Sequence, residues 1–183
     1  MTYLLTFCCY GAHVAGDVPG AVDRVHHIPG SPTIEPNPIR AEVIRERMSQ
    51  RPYTLDDPRR KVVLAAIRDA CAFRGWSLAA AHVRSNHVHV VVDAPAAPEP
   101  LMGVLKARAS RWLGEAGLDA PDRRRWARHG STRYLWNREQ IQRAIHYVAD
   151  LQGPPMALRR GSRRSKWTPT RPRFAAAIRT AAC

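Results

Sequence analysis

The stretch Asn86-His87-Val88-His89-Val90-Val91-Val92 carries the residue types and spacing best suited to chemistry. Its residues are largely β-branched and end at Asp93-Ala94-Pro95, which predicts a strand. Side chains alternate along a strand, so His87, His89 and Val91 share one face and Val88, Val90 and Val92 share the other. Two imidazoles then stand about 7 Å apart along the backbone, at roughly 3.3 Å per residue. That spacing lets two nitrogens converge on one divalent ion. Two ligands make an incomplete site, and a pair of hydrogen-bonded strand histidines is the plainer alternative. Binding through them should weaken below the ordinary imidazole pKa of about 6.5, because a protonated ring cannot ligate.

A second candidate is Tyr147. The segment from Arg138 to Leu151 reads as a helix, with Asn137 as N-cap and Gln140 three residues on. Ile141, Ala144, Ile145 and Val148 form its apolar stripe, Tyr147 lies beside the stripe, and His146 is next to it. Gly153-Pro154-Pro155 breaks the helix. A tyrosine near a helix end is ordinarily packing. It can also be a nucleophile, provided a base takes its proton or the phenolate is stabilised, since its pKa is near 10.

The elements that must position these groups follow from periodicity. Thr2 to Gly11 reads as a first strand, and 13–38, rich in Gly and Pro, as an irregular insertion. His13, His26 and His27 in that insertion read as surface residues rather than ligands. Ile39 to Gln50 suits a short charged helix. Thr54 to Asp57 resembles a capping box ahead of a helix from Pro58 to Phe73, stopped by Gly75. Trp76 to Val83 is a second strand, joined to the histidine strand by a tight turn, so those two pair antiparallel. Ala94 to Pro100 is a loop. Leu101 to Ala116 is a helix with Leu101, Val104, Leu105, Ala109, Trp112 and Leu113 inward and Lys106, Arg108 and Arg111 on or near its other face. A basic run, Arg123, Arg124, Arg125 and Arg128, precedes a short strand containing Arg133 and Tyr134-Leu135-Trp136. The order implies an α+β fold with a ferredoxin-like βαββαβ antiparallel sheet and helices packed on it. Residues 1–156 form that domain. Residues 157–183, with Arg159, Arg160, Arg163, Arg164, Lys166, Arg171, Arg173 and Arg179 and no acid, read as a flexible basic tail.

The 183 residues carry 29 Lys and Arg against 15 Asp and Glu, a formal charge of +14. Such an excess points to a polyanionic partner, nucleic acid first. Lys106, Arg108, Arg111, Arg123, Arg124, Arg125, Arg128 and Arg133 are the candidate DNA contacts. Cys8, Cys9, Cys71 and Cys183 contain no Cys-x-x-Cys pair, which excludes a zinc-finger framework and fits reduced thiols in a cytosol. No stretch reaches the ~20 apolar residues of a membrane helix, and no secretory signal is visible.

Together these residues resemble the HUH single-tyrosine transposases, which include small insertion-sequence transposases and REP-associated tyrosine transposases. The resemblance runs from Thr2 to about Met156. It rests on the Thr-containing aromatic first strand, Gly75-Trp76, Asn86-His87-Val88-His89 with its valines, Leu105-Lys106, and Tyr134-Leu135-Trp136 before the tyrosine helix. It implies cleavage and rejoining of single-stranded or hairpin DNA through a 5′-phosphotyrosine. His87 and His89 would then match metal ligands for Mg or Mn, and Tyr147 the nucleophile. The family's third ligand, an Asn or Gln, commonly lies one turn after the tyrosine, which is Leu151 here. Gln152 can take that role only if the helix end unwinds, and Asp150 is the other candidate. The resemblance further implies a bacterial, cytoplasmic, nucleoid-associated protein, no membrane partner, and a homodimer as one arrangement.

Three other readings compete. A catalytically inactive transposase-derived DNA-binding protein would keep the fold and charge. A histidine-triad hydrolase needs a third histidine where Val91 stands. An RNA-directed sheet would offer exposed aromatics on its strands, where histidines are expected instead.

Overall fold

The computed structural model describes residues 1–14, 17 and 36–161. His26, His27, Cys183 and the arginines from Arg163 onward, for which the sequence raised expectations, lie outside these residues. Five strands and four helices follow one another as β1 (Thr2–Cys8), α1 (Pro38–Glu46), α2 (Asp57–Arg74), β2 (Ser77–Val83), β3 (His87–Asp93), α3 (Pro98–Glu115), β4 (Ser131–Leu135), α4 (Arg138–Asp150) and β5 (Ala157–Arg160). The sheet order is β4-β1-β3-β2-β5, every neighbour antiparallel. Its first four strands have the ferredoxin-like arrangement expected from the order of elements.

Period-two alternation decides what each face holds. Tyr3, Leu5 and Phe7 of β1 and Val88, Val90 and Val92 of β3 point into the main core, closed by α2 and α3 through Val63, Ile67, Leu101, Leu105 and Leu113. The opposite face carries Val91 and Ala80, covered by α4 through Ile141, Ala144 and Val148. Burying Ile141 and Val148 contributes about 2 kcal/mol each and fixes α4 against the strand that holds the histidines.

Several boundaries differ from the expected ones. β1 ends at Cys8, because Cys9 makes only an isolated bridge to Trp126 and Gly11 turns the chain with φ +70°. α1 ends at Glu46. The N-cap of α2 is Asp56, whose carboxylate accepts the Arg59 N–H at 3.0 Å, rather than Thr54. Gly75, at φ +67°, ends that helix as expected. α3 begins at Pro98, inside the expected loop, since first-turn N–H groups lack helical partners and proline costs nothing there. Met102 is buried with the inward residues of α3, while Val104 and Trp112 are only partly buried.

β5 lies in the stretch expected to be a flexible tail. Ala157 and Leu158 pair with Val83 and His82, Arg159 donates to the Leu78 carbonyl, and Arg160 pairs with Asp150. The sheet therefore extends to Arg160. Cys8, Cys9 and Cys71 are free thiols, and burial pushes Cys9 and Cys71 up to about 12. Among the described residues no helix is long and apolar enough to cross a membrane.

Candidate active site

His87 and His89 share the face covered by α4, and their ring centroids lie 4.7 Å apart. In register, His89 stands between Thr6 of β1 and His82 of β2. His87 Nδ1 donates to Asn86 Oδ1 at 2.7 Å, which leaves its Nε2 lone pair for a ligand. His89 Nδ1 lies 2.8 Å from the Thr6 hydroxyl, so both rings are oriented from behind. Burial lowers the pKa of His87, with Arg84, His13 and His82 adding to the shift and the nearby Gln152 side chain opposing it. Burial, followed by the neighbouring His87, pulls His89 down to about 4. Both imidazoles are thereby neutral near pH 7, the state that can ligate.

α4 ends at Asp150, and Leu151 leaves helical geometry with φ −106° and ψ 14°. This departure swings Gln152 inward. Its Nε2 donates to the Tyr147 carbonyl at 3.3 Å, and its Oε1 lies 3.0 Å from His89 Nε2. Two imidazoles and an amide oxygen at one corner are a donor set that would suit one hard or borderline divalent ion. Among the described residues no three His, Cys, Asp or Glu side chains gather into one cluster, and the oxygen beside His89 is that of the Gln152 amide. Asp150 does not reach the histidines: its carboxylate pairs with His146 and Arg160. Leu151 is exposed.

Tyr147 presents its ring to the same corner, 5.5 Å from His89 between centroids, and is 41% exposed. The arrangement thus has two neutral imidazoles, one amide oxygen and one accessible phenol.

The basic candidates divide. Arg125 is 7% exposed, paired with Asp119 at 2.8 Å and donating to the carbonyls of Arg123 and Ala120. It is structural rather than a free phosphate contact. Lys106 donates to the carbonyls of Ala127, Arg128 and His129, which holds the segment before β4. Arg123 is spent on Gln50 and the carbonyls of Arg51 and Pro52. Arg108, paired with Asp69, and Arg111, paired with Glu115, belong to α3, across the sheet from the histidines. Arg124, Arg128 and Arg133 are exposed. Arg133 pairs in register with Leu4, hence on the histidine face.

Two features escaped the sequence reading. His82, fully buried beside His89, gave no signal beyond its place in an Ala-rich strand. Tyr134 of β4 and Trp136 just beyond it form an exposed stack, 5.6 Å between centroids and 11° between planes, so an aromatic pair does stand at this edge of the sheet.

Solved structures similar to this one include two transposases. One is a REP-associated tyrosine transposase bound to a REP hairpin, at 12% identity and TM-score 0.46, covering 81% of this chain and 64% of that one. The other is a candidate transposase from Deinococcus radiodurans R1, at 18% identity and TM-score 0.41, covering 81% and 90%. The chain thus spans just under two thirds of the length of the hairpin-bound protein. No curated protein matches it. The family model for IS200-like transposases matches residues 42–141, which include His87 and His89 and end before Tyr147. That span is more than half of the 183 residues, and the chain belongs to the IS200-like transposase family.

Proposed function

We propose that this transposase cuts and rejoins single-stranded DNA, at or beside a hairpin, through an ester on Tyr147. Family membership supports the transposase part of the reading. The observation that carries the finer part is the meeting of His87, His89, Gln152 and Tyr147 at one corner of the sheet. His87 and His89 through Nε2, and Gln152 through Oε1, would hold Mg or Mn, with imidazole favouring Mn. When bound, such an ion supplies Lewis acidity at a phosphate oxygen.

Tyr147 performs the covalent step. Its oxygen attacks phosphorus, and the new O–P bond forms as the bond to the 3′ oxygen breaks. The phenol releases its proton to water at this half-exposed position, and the departing 3′ oxygen gains one. The products are a 5′-phosphotyrosine and a free 3′ hydroxyl. Attack by a 3′ hydroxyl on that ester reverses the step, so rejoining needs no nucleotide cofactor. In this reading all four side chains come from one chain, and Tyr147 acts beside its own histidines. Arg124, Arg128 and Arg133 are exposed and would contact phosphates, and such contacts position a strand without reading its sequence. The bacterial nucleoid is where such a protein would work.

The test is incubation with a labelled library of single-stranded DNA hairpins and Mn, followed by a denaturing gel. A protein–DNA adduct that depends on Tyr147 is expected. Binding without adduct, for any substrate and metal tried, favours the catalytically inactive DNA-binding descendant instead.

A further inference from the structure

His82 has no part in the proposed chemistry, yet it is a fully buried polar residue on the same sheet face. Its two ring nitrogens reach two separate points of the chain. Nδ1 lies 2.9 Å from the Val148 carbonyl, and Nε2 accepts the Met156 backbone N–H at 3.2 Å. A ring nitrogen facing a carbonyl must carry hydrogen, and one facing an N–H must not. The two contacts therefore fix a single neutral tautomer, with its hydrogen on Nδ1.

The places it touches matter more than the bonds themselves. The Val148 carbonyl is among the last four of α4, which have no helical donor. His82 satisfies it from the sheet. Met156 is the residue before β5. Between these anchors runs the segment 149–155, which carries Gln152, and Tyr147 precedes the first anchor by one residue. Arg84, just past β2, adds a hold in the middle by donating to the Pro154 carbonyl at 2.6 Å. Gly153 takes φ +73° there, a backbone that favours glycine. A segment leaving a helix would ordinarily fray, and this one is tied at both ends to the strand beside His89.

We propose that His82 is a positioning residue: by bridging Val148 and Met156 it holds the segment after α4 so that Gln152 meets His89 beside Tyr147. Its consequence for metal binding and cleavage rests on the proposed function. The clamp itself belongs to the metal-free chain. If His82 only filled space in the core, any ring of similar volume would serve.

Three variants of the full chain separate these cases. His82→Phe keeps the ring and removes both hydrogen bonds. His82→Gln keeps one donor and one acceptor. Met156→Pro leaves His82 in place and removes the N–H of the second anchor, along with the methionine side chain, at a partly exposed residue that already follows Pro155. Amide hydrogen exchange in metal-free protein should quicken at Leu151, whose N–H is bonded to the Tyr147 carbonyl, in His82→Phe and Met156→Pro, while amides of β1 and β3 stay protected. Mn binding without DNA should weaken about tenfold or more in both, the scale of losing a supporting contact behind a metal ligand. His82→Gln should recover part of each loss. In single-turnover cleavage the rate should fall while hairpin affinity holds.

The proposal is overturned if both His82→Phe and Met156→Pro exchange like wild type at Leu151. It is equally overturned if Met156→Pro matches wild type while His82→Gln is as impaired as His82→Phe, since packing would then be the whole role. Should His82→Phe not fold, Met156→Pro decides. If wild type takes up no Mn, the reading of Gln152 as a metal donor fails, and the exchange comparison still decides the clamp.

Discussion

Gln152 Oε1 stands 3.0 Å from His89 Nε2, although Gln152 lies five residues beyond Tyr147. On an ideal helix that offset would turn it about 100° from the position one turn past the tyrosine. The helix instead stops at Asp150, and the freed backbone carries Gln152 to the histidines while Leu151 remains in solvent. One expected outcome follows directly. Gln152→Ala should weaken Mn binding by at least about tenfold, the lower end of what disturbing a metal shell costs. Adding Leu151→Gln should not restore it, because that side chain points away. Calorimetric titration of both variants checks this, and an unchanged affinity in Gln152→Ala would remove the third donor.

The burial of His89 sets a pH window. Its folded pKa is about 4, against about 6.5 in an unfolded chain, so the unfolded state takes up the proton first. The stability it contributes is complete above about 6.5 and disappears as pH falls toward 4, at most roughly 3 kcal/mol at 1.36 per unit. Urea unfolding with chelator at pH 7.5, 5.5 and 4.5 should show a smaller loss in His89→Gln than in wild type. An equal loss in both would mean that His89 is not held neutral by the fold. The same shift moves the expected weakening of metal binding. An ordinary imidazole would begin to lose its ion near pH 6.5. Here both imidazoles are shifted down, so the loss of Mn affinity should begin at a lower pH.

Arg125 should behave as part of the core. Its guanidinium pairs with Asp119, whose other partners are Arg59 and the Tyr53 hydroxyl. Arg125→Met leaves that buried carboxylate short of one partner and should cost roughly 3 kcal/mol of stability. The dependence of DNA affinity on salt should not change. Arg124→Ala, Arg128→Ala and Arg133→Ala should do the opposite, each flattening the log–log salt slope by up to ~0.9 with little effect on unfolding. A flattened slope in Arg125→Met, measured at a temperature where it is folded, would return it to the DNA surface.

The contrast between Arg125 and Arg124 shows where the sequence stops being informative. Alternation of apolar residues is a one-dimensional property, so the faces of β3 and the stripe of α4 could be anticipated. So could the antiparallel pairing of β2 with β3, because only a tight turn joins them. Adjacent arginines look alike in one dimension. Only the approach of Asp119 from another segment makes one of them structural. β5 was hidden for a related reason: its four residues include two arginines, and a basic stretch becomes a strand only when β2 lies beside it. The placement of Gln152 required knowing how α4 ends, which depends on His82 and Arg84 reaching across space.

Tyr147→Phe is the sharpest probe of the chemistry. The change removes one oxygen and keeps the ring, so its approach to His89 at 5.5 Å between centroids should persist. A half-exposed hydroxyl contributes at most about 0.5–1.5 kcal/mol through a hydrogen bond, so the melting temperature and hairpin binding should stay near those of wild type. Covalent adduct should nevertheless vanish, because no other hydroxyl in α4 can form the ester. His146 is no substitute: it is turned toward Asp150, 2.8 Å away. Tyr134 is the control. Its ring packs edge-on to Tyr3 and stacks on Trp136, and Tyr134→Phe preserves both contacts. That variant should form adduct at the wild-type rate. An adduct surviving in Tyr147→Phe, or lost in Tyr134→Phe, would mean that the nucleophile lies elsewhere on the chain.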